Sequence, residues 1–152
     1  MKKWILLIAT LLCASTQALA QDSSRQQKAE ALVKKAAAYI QEKGNDAALK
    51  EFNNPQGKFV DGEFYIFAYS MKNICLAMPS KPALVGKDFS EITDANGKQF
   101  FLEFHKVLDS KAGAGWVDYK WNNPVTNKIQ DKMSYVMKIE GQDIFIGCGF
   151  YK

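Results

Sequence analysis

Chemistry in this chain concentrates in one short stretch. Tyr119 and Trp121 alternate onto the same face of a strand-like segment. Lys132 and Tyr135 flank the start of the next such segment, and the 122–131 loop joins the two, so that the four side chains can converge. A lysine beside tyrosine hydroxyls in an aromatic-walled pocket suits a small carboxylate. The ammonium neutralises the anion, the hydroxyls donate hydrogen bonds and the rings exclude water. Ordinary core packing of Tyr119 and Trp121, with Lys132 on the surface, stands beside that reading as its equal.

Other chemistries find little support. The single histidine, His105, has no partner at a spacing suited to a catalytic triad or a metal site, and reads as a partly exposed helix residue. Cys75, Cys148 and His105 match no zinc pattern, so neither metal nor cofactor is expected. Gly147-Cys148-Gly149 is not a phosphate loop, because no helix follows it; its glycines point to close approach of a helix or ligand. Asp118 and Glu63 carry no specific sign of glycosidic chemistry. No catalytic residue is assigned, and the chain is read as a non-enzyme.

The first 20 residues bear on compartment. Lys2 and Lys3, an apolar run over 4–14 and Ala18-Leu19-Ala20 have the layout of a secretory signal cleaved after Ala20. The run is short of the roughly 20 apolar residues of a membrane span. Periplasmic localisation follows as the expectation, with 21–152 as one domain that does not span a membrane. Without Lys2 and Lys3 the balance is 18 basic against 16 acidic residues, too even to suggest nucleic acid as a partner. Cys75 and Cys148 both sit in apolar runs and are read as free, buried thiols rather than a disulfide.

Elements must position these groups. Residues 21–27 are polar and read as frayed. Ala29, Leu32, Val33, Ala36, Ala37 and Ile40 then mark one face of a long helix, stopped by Gly44. Asn45 suits the cap of a second, short helix with Leu49 and Phe52 inward. Residues 64–70 read as a central strand, with Tyr65, Phe67 and Tyr69 on one face and Phe64, Ile66 and Ala68 on the other. A strand over 74–78, a helix over 98–110 and strands over 116–121, 133–139 and 144–151 complete the pattern. The result is an α+β fold: a long N-terminal helix on a twisted antiparallel sheet of about five strands, with a crossover helix.

Several ordered segments bear a family likeness. They are Phe59-Val60-Asp61-Gly62-Glu63-Phe64-Tyr65-Ile66-Phe67, Leu76-Ala77-Met78-Pro79 and the 82–88 segment. Gly115-Trp116-Val117-Asp118-Tyr119-Lys120-Trp121, Lys132-Met133-Ser134-Tyr135-Val136 and the closing 146–151 segment complete the set. Together, from about Lys28 to Lys152, the chain resembles the single Cache domain (type 2) family. That resemblance implies a PAS-like fold and a sensor role in signal transduction. It also implies a pocket for a short-chain carboxylate such as acetate, propionate or pyruvate. Tyr119, Trp121, Lys132 and Tyr135 fall on its expected lining, Tyr65 and Phe67 on its floor or the opposite face. Met78 stands where relatives often carry histidine, a departure that puts ligand choice in doubt. The usual D-x-D-G-like turn is Ser70-Met71-Lys72-Asn73 here. With no output region in the sequence, a free-standing module is expected. It either binds a small organic acid or, alternatively, docks on a membrane receptor, transporter or redox complex without a metabolite. Pairing of two copies through the N-terminal helix is implied by the resemblance, and packing of its alanine stripe on the protein's own sheet explains that stripe equally.

Overall fold

The computed structural model describes residues 2–152, with side chains from Ala20 onward. The cleavage-site reading falls almost wholly on residues outside the described side chains. Helix α1 (Lys2–Lys43) ends at Gly44, whose φ of 79° is the left-handed conformation that glycine reaches without a Cβ penalty. Gly44 also caps α2 (Asn45–Phe52), so Asn45 opens that helix instead of capping it. Ala48 and Phe52 are the residues of α2 buried against the core. Residues 21–27 are not frayed: they belong to α1, and Arg25 reaches Glu63 and the Tyr151 carbonyl.

The aromatic run over 64–70 is two strands. β1 (Val60–Asp61) pairs with β2 (Phe64–Tyr65), and Ile66 donates its N–H to the Phe59 carbonyl before β3 (Phe67–Ser70) begins. β4 (Cys75–Ala77) returns beside β3. A loop leads to α3 (Phe100–Leu108), and β5 (Ala114–Asn122), β6 (Ile129–Lys138) and β7 (Ile144–Tyr151) follow as a meander. The five-stranded sheet runs β4-β3-β7-β6-β5, antiparallel throughout, so the last strand closes onto the first hairpin.

Each face of the sheet carries its own helix. Ala29, Val33, Ala36 and Ile40 of α1 pack on Ile144, Ile146, Cys148 and Phe150 of β7. The alanines keep the helix axis close to the sheet, and the stripe is buried within the chain itself. On the other face Phe100, Phe101, Phe104 and Leu108 of α3 cover Tyr65, Phe67, Tyr69, Val117, Tyr119, Val136 and Phe145. Strand alternation decides which residue faces which helix. Among the described residues no helix is long and apolar enough to cross a membrane. Cys75 and Cys148 are free and buried.

Candidate functional site

The site lies between α3 and the sheet. β5 and β6 pair with Tyr119 opposite Lys132, and β6 and β7 with Lys132 opposite Tyr151. All three side chains therefore share the α3 face. Lys132 is 1 % exposed, a charged side chain in the middle of an aromatic layer. The strand beside it needs a glycine: a Cβ at Gly149 would collide with Ser134 Oγ and the Met133 carbonyl, and would press on Lys132 Cε at 3.0 Å. At Gly147 a Cβ would meet the Phe67 ring at 2.3 Å. The two glycines thus make room for the neighbouring strands' own side chains and carbonyls, and not for a helix or ligand.

Lys132 Nζ donates to the Tyr65 hydroxyl at 2.8 Å. The Tyr151 hydroxyl donates to the Asn122 carbonyl at 2.8 Å, so its contact with the Tyr65 hydroxyl at 3.4 Å must receive Tyr65's proton. Tyr119 and Ser134 share a hydroxyl–hydroxyl bond of 3.0 Å. The ammonium also sits 4.2 Å from the Tyr65 ring centre and 4.9 Å from that of Tyr151. None of the ion pairs among the described residues includes Lys132. A buried cation is thus held by phenols and ring faces alone, with donor capacity to spare.

The electrostatics follow from this enclosure. Burial works to lower Lys132, but the phenols of Tyr65 and Tyr119 outweigh it and keep the ammonium above its usual value. For Tyr65 burial works upward, and the Lys132 charge outweighs it, holding the phenol below its usual value. Tyr119 is pushed up to about 12 by burial, against the pull of Lys132. Burial pushes Cys148, beneath the site, up to about 12 as well.

Six of the seven residues expected at the site line one cavity: Tyr65, Phe67, Met78, Tyr119, Trp121 and Lys132. Tyr69, Phe100 and Phe104 complete its wall. Phe100 stacks on Tyr119 with ring centres 4.4 Å apart. Tyr135 does not belong. It lies three positions from Lys132, and an odd step along a strand reverses the face. Tyr135 packs instead with Trp116 on the α1 side, ring centres 5.3 Å apart. Lys132 itself, open to a surface reading from sequence, is buried. Met78 is 2 % exposed and is fixed by its backbone N–H to Asn53 Oδ1 at 3.1 Å. Ser134 and Tyr151 also bring hydroxyls to the site, and the sequence reading does not single them out. The first was legible as the i+2 neighbour of Lys132; the second needed the β6–β7 register. The cavity measures about 10 Å³, close to the smallest space that takes one water.

His105 lies outside this cavity, half-buried, with Nε2 2.7 Å from Asn73 Oδ1. Asp118 is on the surface and pairs with Lys152 at 2.7 Å.

Comparison with known proteins agrees with this architecture. Residues 14–152 match the family described as single Cache domain 2. A methyl-accepting chemotaxis protein from Vibrio parahaemolyticus superposes with a TM-score of 0.76 at 21 % identity, over 92 % of this chain and 95 % of that one. A Cache chemosensory domain described for carboxylic acid recognition superposes with a TM-score of 0.67 at 25 % identity, over 90 % and 97 %. In sequence, the chain is 32 % identical over 91 residues to the sensor histidine kinase MctS of Rhizobium johnstonii, covering 60 % of this chain and 19 % of the kinase. It spans about a fifth of that relative's length. With the helix–sheet–helix layering, the strand order and the match across nearly its whole length, the chain belongs to the single Cache domain 2 family.

Proposed function

We propose that this domain is an extracytoplasmic sensor for a short monocarboxylate, bound with its anionic end on Lys132. The observation that carries the reading is the ammonium of Lys132, buried between α3 and the sheet without a carboxylate partner. A buried cation of this kind gains most from an anion that arrives with its own charge. Tyr65 and Tyr119 supply hydroxyls at the anionic end. Phe67, Met78, Phe100, Phe104 and Trp121 supply an apolar wall for a short tail. The Cache chemosensory domain described for carboxylic acid recognition supports the ligand class.

The cavity has to widen to take even a two-carbon acid. Met78, an unbranched and adaptable side chain on its wall, is the group that yields. Its place where relatives often carry histidine selects a ligand with an apolar tail over one with a second polar end. The 1–20 segment is proposed as an export signal, with the domain acting from residue 21. N-terminal sequencing of the protein recovered from the periplasm should then begin at Gln21; a start at Met1 rejects processing.

The direct test is a thermal-shift and calorimetric screen with acetate, propionate, pyruvate, dicarboxylates and amino acids. Ligand that binds only the native state raises Tm by mass action. A saturable shift with a monocarboxylate, lost in Lys132→Met, supports the site. No shift across the panel rejects it and favours docking on a membrane receptor or transporter.

A further inference from the structure

The phenol chain that starts at Lys132 does not end inside the cavity. Tyr65 links Lys132 to Tyr151, the last residue of β7. Tyr151 is held twice more through its backbone. Its N–H donates to Glu63 Oε2 at 3.0 Å, and its carbonyl accepts from Arg25 of α1. Arg25 pairs with the other oxygen of Glu63 and lies 4.7 Å above the Phe150 ring. Arg25 and Glu63 are each mostly covered, at 24 % and 20 % side-chain exposure. Side-chain and backbone bonds of one residue thus join the cavity on one face of the sheet to the long helix on the other. Lys132 and Arg25 share no contact of their own. Tyr151 lies between them, beside the Glu63–Tyr65 segment that pairs with Arg25 at one end and bonds Lys132 at the other.

We infer that Tyr151 couples the hydrogen-bonding state of Lys132 to the grip of Arg25 and Glu63 on the end of β7, so that occupation of the cavity and attachment of α1 are energetically linked. The link to a ligand rests on the function proposed above. A carboxylate on Lys132 also accepts the Tyr65 proton. It takes that proton from the 3.4 Å contact with Tyr151, the longest in the chain. Tyr151 then loses an incoming hydrogen bond and the clamp on α1 loosens. Coupling of this kind is reciprocal: weakening the clamp must favour the ligand to the same extent.

The test is a double-mutant cycle by urea unfolding of the ligand-free protein, with Lys132→Met and Arg25→Gln. Sites without direct contact normally add unless a shared partner couples them, and here that partner is Tyr151. Here the double variant should depart from the product of the single effects on the unfolding constant by about fivefold. The departure should vanish when the cycle is repeated in Tyr151→Phe, which keeps the backbone bonds to Glu63 and Arg25. Tyr65→Phe serves in place of Lys132→Met should that variant not fold. An additive first cycle, or one unchanged by Tyr151→Phe, overturns the linkage. With acetate as the probe, Arg25→Gln should bind about fivefold more tightly; unchanged or weaker binding overturns it too. The two claims fail separately. A protein that binds no monocarboxylate yet shows a Tyr151-dependent cycle loses the proposed function and keeps the linkage. One that binds acetate with an additive cycle keeps the function and loses the linkage.

Discussion

The two faces of the central sheet are built from the same strands yet differ in kind. The α1 face is packed with Ala29, Val33, Ala36, Ile40, Ile144, Ile146 and Phe150, and holds no buried charge among the described residues. The α3 face is a layer of aromatic rings around one buried lysine, with hydroxyls from Tyr65, Tyr119, Ser134 and Tyr151. Aliphatic packing offers a ligand nothing to recognise. Rings with hydroxyl edges around an ammonium offer charge, donors and an apolar wall together. One face packs the long helix while the other carries the polar groups of the site, and strand alternation sorts each side chain to one of them, with Tyr151 at the end of β7 bonded toward both.

That contrast can be broken in several ways, here in descending order of effect. Ile146→Ala, a cavity in the α1 face, should cost about 2–5 kcal/mol of stability, read by urea unfolding, while carboxylate affinity at the remaining folded protein stays within twofold. Loss of affinity in step with stability would mean that the faces are joined in the middle of β7 and not at Tyr151 alone. Alkaline pH should strike the α3 face. Tyr119, at about 12, keeps its proton in the folded state above the ordinary value of 10.0. Such a raised group contributes stability that is full below the unfolded pKa and is lost as pH rises through the folded one. Stability should therefore fall between about pH 10 and 12 by roughly 3 kcal/mol from Tyr119. Cys148 and Lys132, also raised, add to the fall and Tyr65, lowered, opposes it. A Tyr119→Phe variant should lose part of that slope; an unchanged slope would place the titration elsewhere.

Lys132→Met should reduce monocarboxylate affinity by about 10- to 100-fold, as expected for a hydrogen bond to a charged group worth about 1.5–3 kcal/mol, while urea unfolding shows little or no loss of stability. Removing a buried cation that has no anionic partner relieves its desolvation cost along with its one hydrogen bond, to Tyr65. A large loss of stability would instead make Lys132 a structural residue. Gly149→Ala should cost about 1–3 kcal/mol by overpacking, since its new methyl group collides with Ser134 Oγ and the Met133 carbonyl and presses on the Lys132 stem. Calorimetry should find affinity weakened alongside. Smallest of all, Tyr135→Phe should leave binding within twofold, because that hydroxyl belongs to the α1 face. A tenfold loss there would contradict the division of the sheet.

Much of this division is legible in the amino-acid order. The 3.6-residue stripe from Ala29 to Ile40 marks the buried side of α1, and the alternation over 64–70 separates Tyr65, Phe67 and Tyr69 from their neighbours correctly. Tyr119 and Trp121, two apart, share a face for the same reason. Tyr135 stands apart from the site because nearness along the chain is not nearness in space: three steps along β6 from Lys132 reverse the face. The frayed reading of 21–27 failed because polar residues there are tethered by partners far along the chain, Glu63 and Tyr151 for Arg25. The break of 64–70 into two strands at Ile66 also depends on a distant partner, the Phe59 carbonyl.

By itself, then, the order of residues determined the helix–sheet–helix architecture and the side of each element that is buried, because periodicities of 2 and 3.6 are local properties of the backbone. It also narrowed the chemistry to a lysine among tyrosines. Tertiary structure alone decided that Lys132 is buried, that Tyr151 stands opposite it and that Met78 closes the same cavity. Those facts depend on which strands pair and in what register. Register is set by the summed packing of both faces, and no short stretch of sequence contains that sum.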